Sequence, residues 1–323
     1  MKTCLLAVLA LVSGLGTAQA QLAGPAQLLG PWHATEGPSW DPAGYLYYVS
    51  HDRISRWDLR HPPETFRLGA GRPGSSLVDP QRRLLVCESG ARRITRIERD
   101  GSTTVLADRF EGKRFNSPND LALDSHGRIY FTDPRYGSRA GVEMLSPSGR
   151  LIEGVYRIDA PGRVTRIING EVEKPNGILV SPDDRYLYIA DDNVDTVGGA
   201  RKIWRFDLRS DGSIDPRSRW LLFDWGTDRG PDGFKMDRAG RFYVAAGVDR
   251  PIPPAQTSLK YKSGIYVISP EGKLLQFVAV GTTVQNCAFG GPDLRTLYVT
   301  AAGTLWSIPA STPGVISAQP LSP

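Results

Sequence analysis

The sequence predicts an all-β fold, a six-bladed β-propeller built from four-stranded antiparallel blades. Three observations carry this. One pattern recurs six times along the chain. Its clearest copy, Lys174 to Asp191 (KPNGILVSPDDRYLYIAD), reads as a loop carrying Asn176, a short apolar strand, a tight polar turn and a second strand rich in aromatic and β-branched residues. Further copies open at Glu36 (EGPSWDPAGYLYYVS), Ser75 (SSLVDPQRRLLVCES), Asn119 (NDLALDSHGRIYFTD), Asp232 (DGFKMDRAGRFYVAA) and Asn286 (NCAFGGPDLRTLYVT). The intervals between openings are 39, 44, 57, 56 and 54 residues, a period that suits a four-stranded blade. No stretch sustains the 3.6-residue apolar spacing that an α/β alternative would need.

The chain begins MKTCLLAVLALVSGLGTAQA, one lysine, an apolar run and Ala18-Gln19-Ala20. That is the pattern of a secretory signal peptide over residues 1–20, cleaved after Ala20. The run is too short to span a bilayer, and Cys4 lies well before the cleavage point, unlike a lipoprotein anchor. An exported, soluble protein, periplasmic or secreted, is expected, with residues 21–323 forming one propeller domain.

Within each unit, two strands joined by a D-x-x-G-like turn form a hairpin. Third strands are expected at Ile54–Asp58, Ile94–Glu98, Val155–Ile158, Lys202–Phe206 and Gly264–Ile268, and fourth strands at Thr103–Ala107, Arg163–Ile168, Arg219–Phe223 and Leu274–Ala279. The sixth unit has a third strand at Gly303–Ile308 but then meets Pro309 and Pro313. Its fourth strand is expected from the N-terminal segment Ala26–Leu29, which would hide an otherwise unpaired edge.

Composition narrows the function. The formal net charge is +5, with basic residues scattered rather than clustered, so no nucleic-acid footprint is indicated. Thirty-five glycines and twenty-five prolines suit a turn-dense β fold. Export permits a disulfide, yet Cys87 and Cys287 fall in units that are not neighbours in the ring, and two free buried thiols are expected. There is no GxSxG elbow to supply a nucleophilic serine, no HExxH and no phosphate-binding glycine loop. His33, His51, His61 and His126 are scattered.

In a propeller, the residues that open the innermost strands become neighbours around the axis. Here that position reads Glu36, Ser75, Asn119, Asn176, Asp232 and Asn286. Carboxylates and carboxamides brought together out of water need partners. With no His or Cys among them, their oxygens suit a hard cation, Ca²⁺ or Mg²⁺, rather than zinc or copper. Glu36, Asn119, Asn176 and Asp232 are the candidate ligands, leaving open positions for water and substrate. The plainer alternative is that these residues cap strands, with Asn-Gly and Asp-Gly serving turn geometry.

The segments FNSPNDLALDSHGRIYFTDPRYG, KPNGILVSPDDRYLYIAD, GPDGFKMDRAGRFYVAAG and NCAFGGPDLRTLYVTAAG resemble the gluconolactonase/regucalcin (senescence marker protein) family of six-bladed propellers, over about Pro31 to Ile308. The resemblance implies sugar-lactone hydrolysis and a metal held by one Glu, one Asn and one Asp, which map onto Glu36, Asn176 and Asp232. It implies a further Asn, at Asn119, that touches substrate or completes the metal shell. The animal members carry an Arg two residues before that Asn, where this chain has Ser117, which sets it nearer the bacterial gluconolactonases.

The expected reaction is hydrolysis of a lactone such as glucono-1,5-lactone, with one divalent cation polarising the carbonyl: Ca²⁺ first, with Mg²⁺, Mn²⁺ or Zn²⁺ as alternatives. Asp232 is the candidate catalytic residue, orienting or deprotonating water, or else acting directly as nucleophile. Asn119 and Asn286 are candidates to hold ring hydroxyls, with Asp120 orienting Asn119 or serving a turn. Tyr136 starts a longer connection through Gly137 to Gly154 and is the candidate roof over the substrate. The competing readings are a related propeller hydrolase for another lactone, ester or phosphotriester, and a non-enzymatic exported propeller that binds a protein or glycan.

Overall fold

The computed structural model describes residues 21–251 and 253–316; the leader expected at 1–20 lies outside the described residues. Six four-stranded antiparallel sheets are present, in the sequence order the repeat requires. Their innermost strands are Glu36–Asp41, Ser75–Val78, Leu121–Leu123, Pro175–Val180, Pro231–Met236 and Val284–Gly290. Among the described residues no helix is long and apolar enough to cross a membrane.

The repeated turn sets the hairpin in every blade. The amides of Gly44, Arg82, Gly127, Asp184, Gly240 and Leu294 each bond the carbonyl three residues back, at 2.8 to 3.1 Å. All six residues have positive φ, which explains why glycine occupies half of these positions. In the second, third and fifth blades the opening aspartate also bonds the amide four residues on, as Asp124 does with Arg128. The same carboxylates pair with the guanidinium groups of Arg83, Arg128 and Arg241.

Closure is as expected, through a longer strand. Gln27–Ala34 pairs antiparallel with Gly303–Pro309 as the outermost strand of the sixth blade, with Gln27 opposite Ser307 and Ala34 opposite Gly303. Hydrogen bonds of Leu22 with Gln276 extend the join to the fifth blade. The first blade has a fourth strand, Glu64–Leu68, that its exposed, polar sequence concealed. A small hairpin, Arg109–Phe110 with Lys113–Arg114, interrupts the path from the second blade to the third.

The core lies between blades, where neighbouring sheets face one another. Phe115 meets Phe131 and Tyr156 edge-on, and Phe131 stacks on Tyr156, with centroids 5.0 to 5.4 Å apart, between the second and third blades. Cys87 and Cys287 are buried and free, in the second and sixth blades, as their register required. At the turn end of the channel, Val315 and Ile316 close over Trp40, Val78 and Phe289. The opposite end carries the opening residues.

Candidate functional site

The inner strands do not enter their blades smoothly. In the fourth blade Pro175 pairs with Asp191 and Ile178 with Ile189, so Asn176 and Gly177 together oppose Ala190. In the fifth, Asp232 and Gly233 together oppose Ala245. The first blade shows the same irregularity just after Glu36, and the sixth just before Asn286. Such bulges re-aim side chains and recur beside active sites. Here they turn the opening side chains toward the axis.

The glycines after these residues are therefore not turn residues. They permit close approach between blades. A β-carbon on Gly177 would meet the Asp232 carbonyl at 2.3 Å, one on Gly233 the Asn286 carboxamide at 2.0 Å, and one on Gly37 the Ser75 Cα at 2.5 Å. Each glycine thus faces the opening residue of the next blade, and this fixes the opening residues as neighbours.

The side chains meet accordingly. Asn286 Nδ2 donates to Glu36 Oε2 at 3.2 Å. Arg229 donates to Asp232 Oδ2 and, at 2.7 Å, to the Val284 carbonyl. Asn176 Nδ2 donates to the Tyr136 hydroxyl at 2.9 Å, and Lys174 Nζ lies 4.4 Å from the Tyr136 ring centroid. Asn176, Asp232 and Asn286 are only 4%, 6% and 3% exposed, so each depends on these partners. Burial, then the Asp232 charge, pushes the Glu36 carboxyl well above its ordinary range, and Asp120 adds to the effect. Burial likewise raises Asp232; the Arg229 guanidinium holds it back and Asp192 works against that. Two carboxylates that repel each other across the axis mark one shared electrostatic site.

Buried carboxylates at the ends of the second strands hold the entry loops. Asp133 accepts the amides of Asn116 and Ser117 at 2.8 and 2.9 Å, steadying the approach to Asn119. Asp191 accepts those of Lys174 and Glu173 at 2.9 and 3.1 Å, steadying the approach to Asn176. Asp192 accepts the Gly230 amide at 3.0 Å, next to Asp232.

Asn119 and Tyr136 line a cleft of about 520 Å³ at this end of the channel, and Tyr136 covers Asn176 from that side. Asp120 lies deeper. Its Oδ1 accepts the Ser75 hydroxyl at 2.7 Å and its own neighbour's amide at 2.9 Å, tying the second blade to the third. Asp120 Oδ2 is buried with no hydrogen-bond partner. Ser75 thus takes a structural part in the ring.

The donors fit a hard divalent cation on chemical grounds. Glu36, half-buried, and Asp232, buried, bring two mutually repelling carboxylates, and Asn176 adds a neutral carboxamide oxygen. Among the described residues no three acidic, His or Cys side chains converge tightly enough to hold a metal by themselves; a set built on Glu36 and Asp232 would include the Asn176 carboxamide.

Sequence reasoning passed over Arg229, Arg72 and Arg135, and set His51 aside as one of four scattered histidines. Arg229 and Arg72 share a register, three residues before Asp232 and Ser75, and that repeat position was the available signal. Arg135 directly follows the Asp133-Pro134 pair, whereas His51 had no sequence signature.

Comparison with known proteins gives a consistent result. A sequence model described as the SMP-30/Gluconolactonase/LRE-like region matches residues 34–303. A gluconolactonase of Zymomonas mobilis is 31% identical over 254 residues, covering 75% of this chain and 65% of that one. The chain therefore spans just under two thirds of that relative's length. The pentonolactonase XacC of Haloferax volcanii is 29% identical over 289 residues, 83% of this chain and 81% of that one. Among solved structures, a gluconolactonase from Xanthomonas campestris superposes with a TM-score of 0.72 at 29% identity, covering 90% of this chain and 91% of its own.

Proposed function

The chain belongs to the SMP-30/gluconolactonase/LRE-like family, and from that premise we propose that it is a divalent-metal-dependent hydrolase of sugar lactones. The observation that carries the reading is the meeting of half-buried Glu36 and buried Asp232, carboxylates 196 positions apart, in one field with the Asn176 and Asn286 carboxamides. A binding surface for protein or glycan has no use for two carboxylates held in mutual repulsion away from water. The relatives named gluconolactonase and pentonolactonase support a lactone as substrate.

A cation held here, Ca²⁺ by donor type, would supply Lewis-acid stabilisation of the charge that develops on the lactone carbonyl oxygen. Glu36, Asn176 and Asp232 would hold it, with Asn119 completing the shell or turning to substrate. Arg229 fixes Asp232 through Oδ2, and Oδ1 is then the atom that takes a proton from the attacking water. Burial alone raises the proton affinity of this carboxylate; coordination to a cation would oppose that rise, and an activated, ring-strained ester asks less of its base than an amide does. The new bond joins the water oxygen to the carbonyl carbon. The bond from that carbon to the ring oxygen breaks, and the proton passes to the departing hydroxyl. Asn119 and Asn286 hold substrate hydroxyls, and Tyr136 positions Asn176 while roofing the cleft.

From the leader pattern of residues 1–20 we propose separately that the protein is exported. Acid release from glucono-1,5-lactone and a small lactone panel, followed with and without chelator, tests the hydrolase proposal. Chelator-sensitive turnover is expected. Absence of turnover on every lactone would favour the binding propeller.

A further inference from the structure

The cleft above the opening residues has a one-sided charge. Arg72, Arg135 and His51 line it, together with Asn119, Ser117 and Ser89, and no acidic residue does. Some arginines of the propeller have carboxylate partners, as Arg128 has Asp124 and Arg241 has Asp237, while others are held by neutral acceptors alone. Among the described residues, neither the Arg72 nor the Arg135 guanidinium forms an ion pair. Arg135 is steadied by the carbonyls of Ser138 and Asn116, neutral acceptors that orient the group and leave its charge uncompensated.

Arg72 is exposed. Its backbone is left-handed, with φ of 53°, as at the repeated turns of Arg82 and Asp184. Its stem lies along Gly90, where a β-carbon would meet Arg72 Cβ at 2.8 Å and Cδ at 3.0 Å. Any side chain at Gly90 would displace it. The cleft's serine hydroxyls are engaged, Ser89 with the Pro118 carbonyl, Ser117 with the Pro134 carbonyl and Ser138 with the Ala140 amide. The charge that the cleft lining offers a ligand is cationic.

We propose that Arg72 and Arg135 form an anion-binding subsite, so that the preferred substrate is a sugar lactone carrying a second, anionic group remote from its carbonyl. This deepens the lactonase reading and rests on it. Tyr136 lines the cleft and bonds Asn176, and Asn119 is itself an opening residue, so the cleft adjoins the ring. Arginine suits carboxylate, sulfonate and phosphate alike through its planar fork of donors. Neutral aldonolactones leave both guanidinium groups unmatched.

The test compares kcat/KM for glucono-1,5-lactone with values for two anionic lactones, glucaro-1,4-lactone and 6-phosphoglucono-1,5-lactone. The anionic compounds are expected to be favoured, and Arg72→Ala should shrink the anionic-to-neutral ratio by about tenfold to a hundredfold, chiefly through KM. Arg72→Lys should restore part of the ratio. The two anionic arms tell carboxylate from phosphate preference. A ratio unchanged in Arg72→Ala and Arg135→Ala would overturn the subsite. Calorimetry with the open-chain acids separates this from the wider reading: tighter binding of glucarate than gluconate, lost in Arg72→Ala, would uphold the subsite even if no lactone were opened. Equal binding of the two acids would count against it.

Discussion

Gly233 lies so close beneath the Asn286 carboxamide that a β-carbon there would sit 2.0 Å from Asn286 Cγ. The contact joins the fifth blade to the sixth at the level of the candidate site, and Asn286 in turn bonds Glu36 of the first blade. Gly233→Ala forces the carboxamide away from Glu36. Overpacking of this kind costs about 1 to 3 kcal/mol, and lactone hydrolysis should fall with it. Urea unfolding reads the first effect; an unchanged midpoint at unchanged slope would remove the steric account.

Arg229 and Asp232 form a buried ion pair, with side chains 11% and 8% exposed. Removing one partner leaves the other charge in a poorly solvated site, a loss of about 3 to 5 kcal/mol. Arg229→Met should therefore be strongly destabilised, and Asp232→Asn destabilised for the same reason while still folding. The double variant should lose less than the two singles together, with a coupling energy of about 1 kcal/mol or more. Additive losses in chemical denaturation would mean that the two groups do not depend on each other.

Asp232→Asn also removes the proposed proton acceptor. Its folded fraction should hydrolyse lactone about a hundredfold more slowly or worse. Activity within a few fold of the parent chain would move the catalytic role to another residue.

Asp133 offers a pH dependence away from the reacting centre. Burial raises its carboxyl from the ordinary range to about 8, against two amide hydrogen bonds and Arg92 that pull it down. The folded chain thus binds a proton here more readily than the unfolded chain does. The stabilising contribution is complete below about pH 4 and is lost as the pH rises to about 8. Its slope approaches about 1.4 kcal/mol per pH unit in the middle of that window. Asp133→Asn should flatten the fall in unfolding free energy between pH 5 and 7 relative to the parent chain. Parallel profiles would show that the carboxyl titrates normally.

The propeller was legible because its cause is local and repeated. Strand alternation and the polar turn are written into each unit, and the strands Gly264–Ile268 and Leu274–Ala279 fall where the sequence places them. Glu64–Leu68 was hidden because ETFRL lies on the outer edge, largely exposed, with little apolar pattern to betray it. Within the site, Glu36, Asn176 and Asp232 could be aligned by register alone. Gly177 and Gly233 were open to misreading as turn residues, because close approach between blades leaves no trace within one repeat. Arg72 and Arg229 were passed over for a related reason: a charged residue in a polar loop is unremarkable until the opposing surface is known.

The central claim is that Glu36, Asn176 and Asp232 share one divalent ion. Long-wavelength anomalous diffraction from crystals grown with Ca²⁺ tests it most directly. The account predicts a single strong peak at the axis, about 2.3 to 2.6 Å from oxygens of all three side chains. A peak bound elsewhere, or none on these three at saturating Ca²⁺, would contradict it.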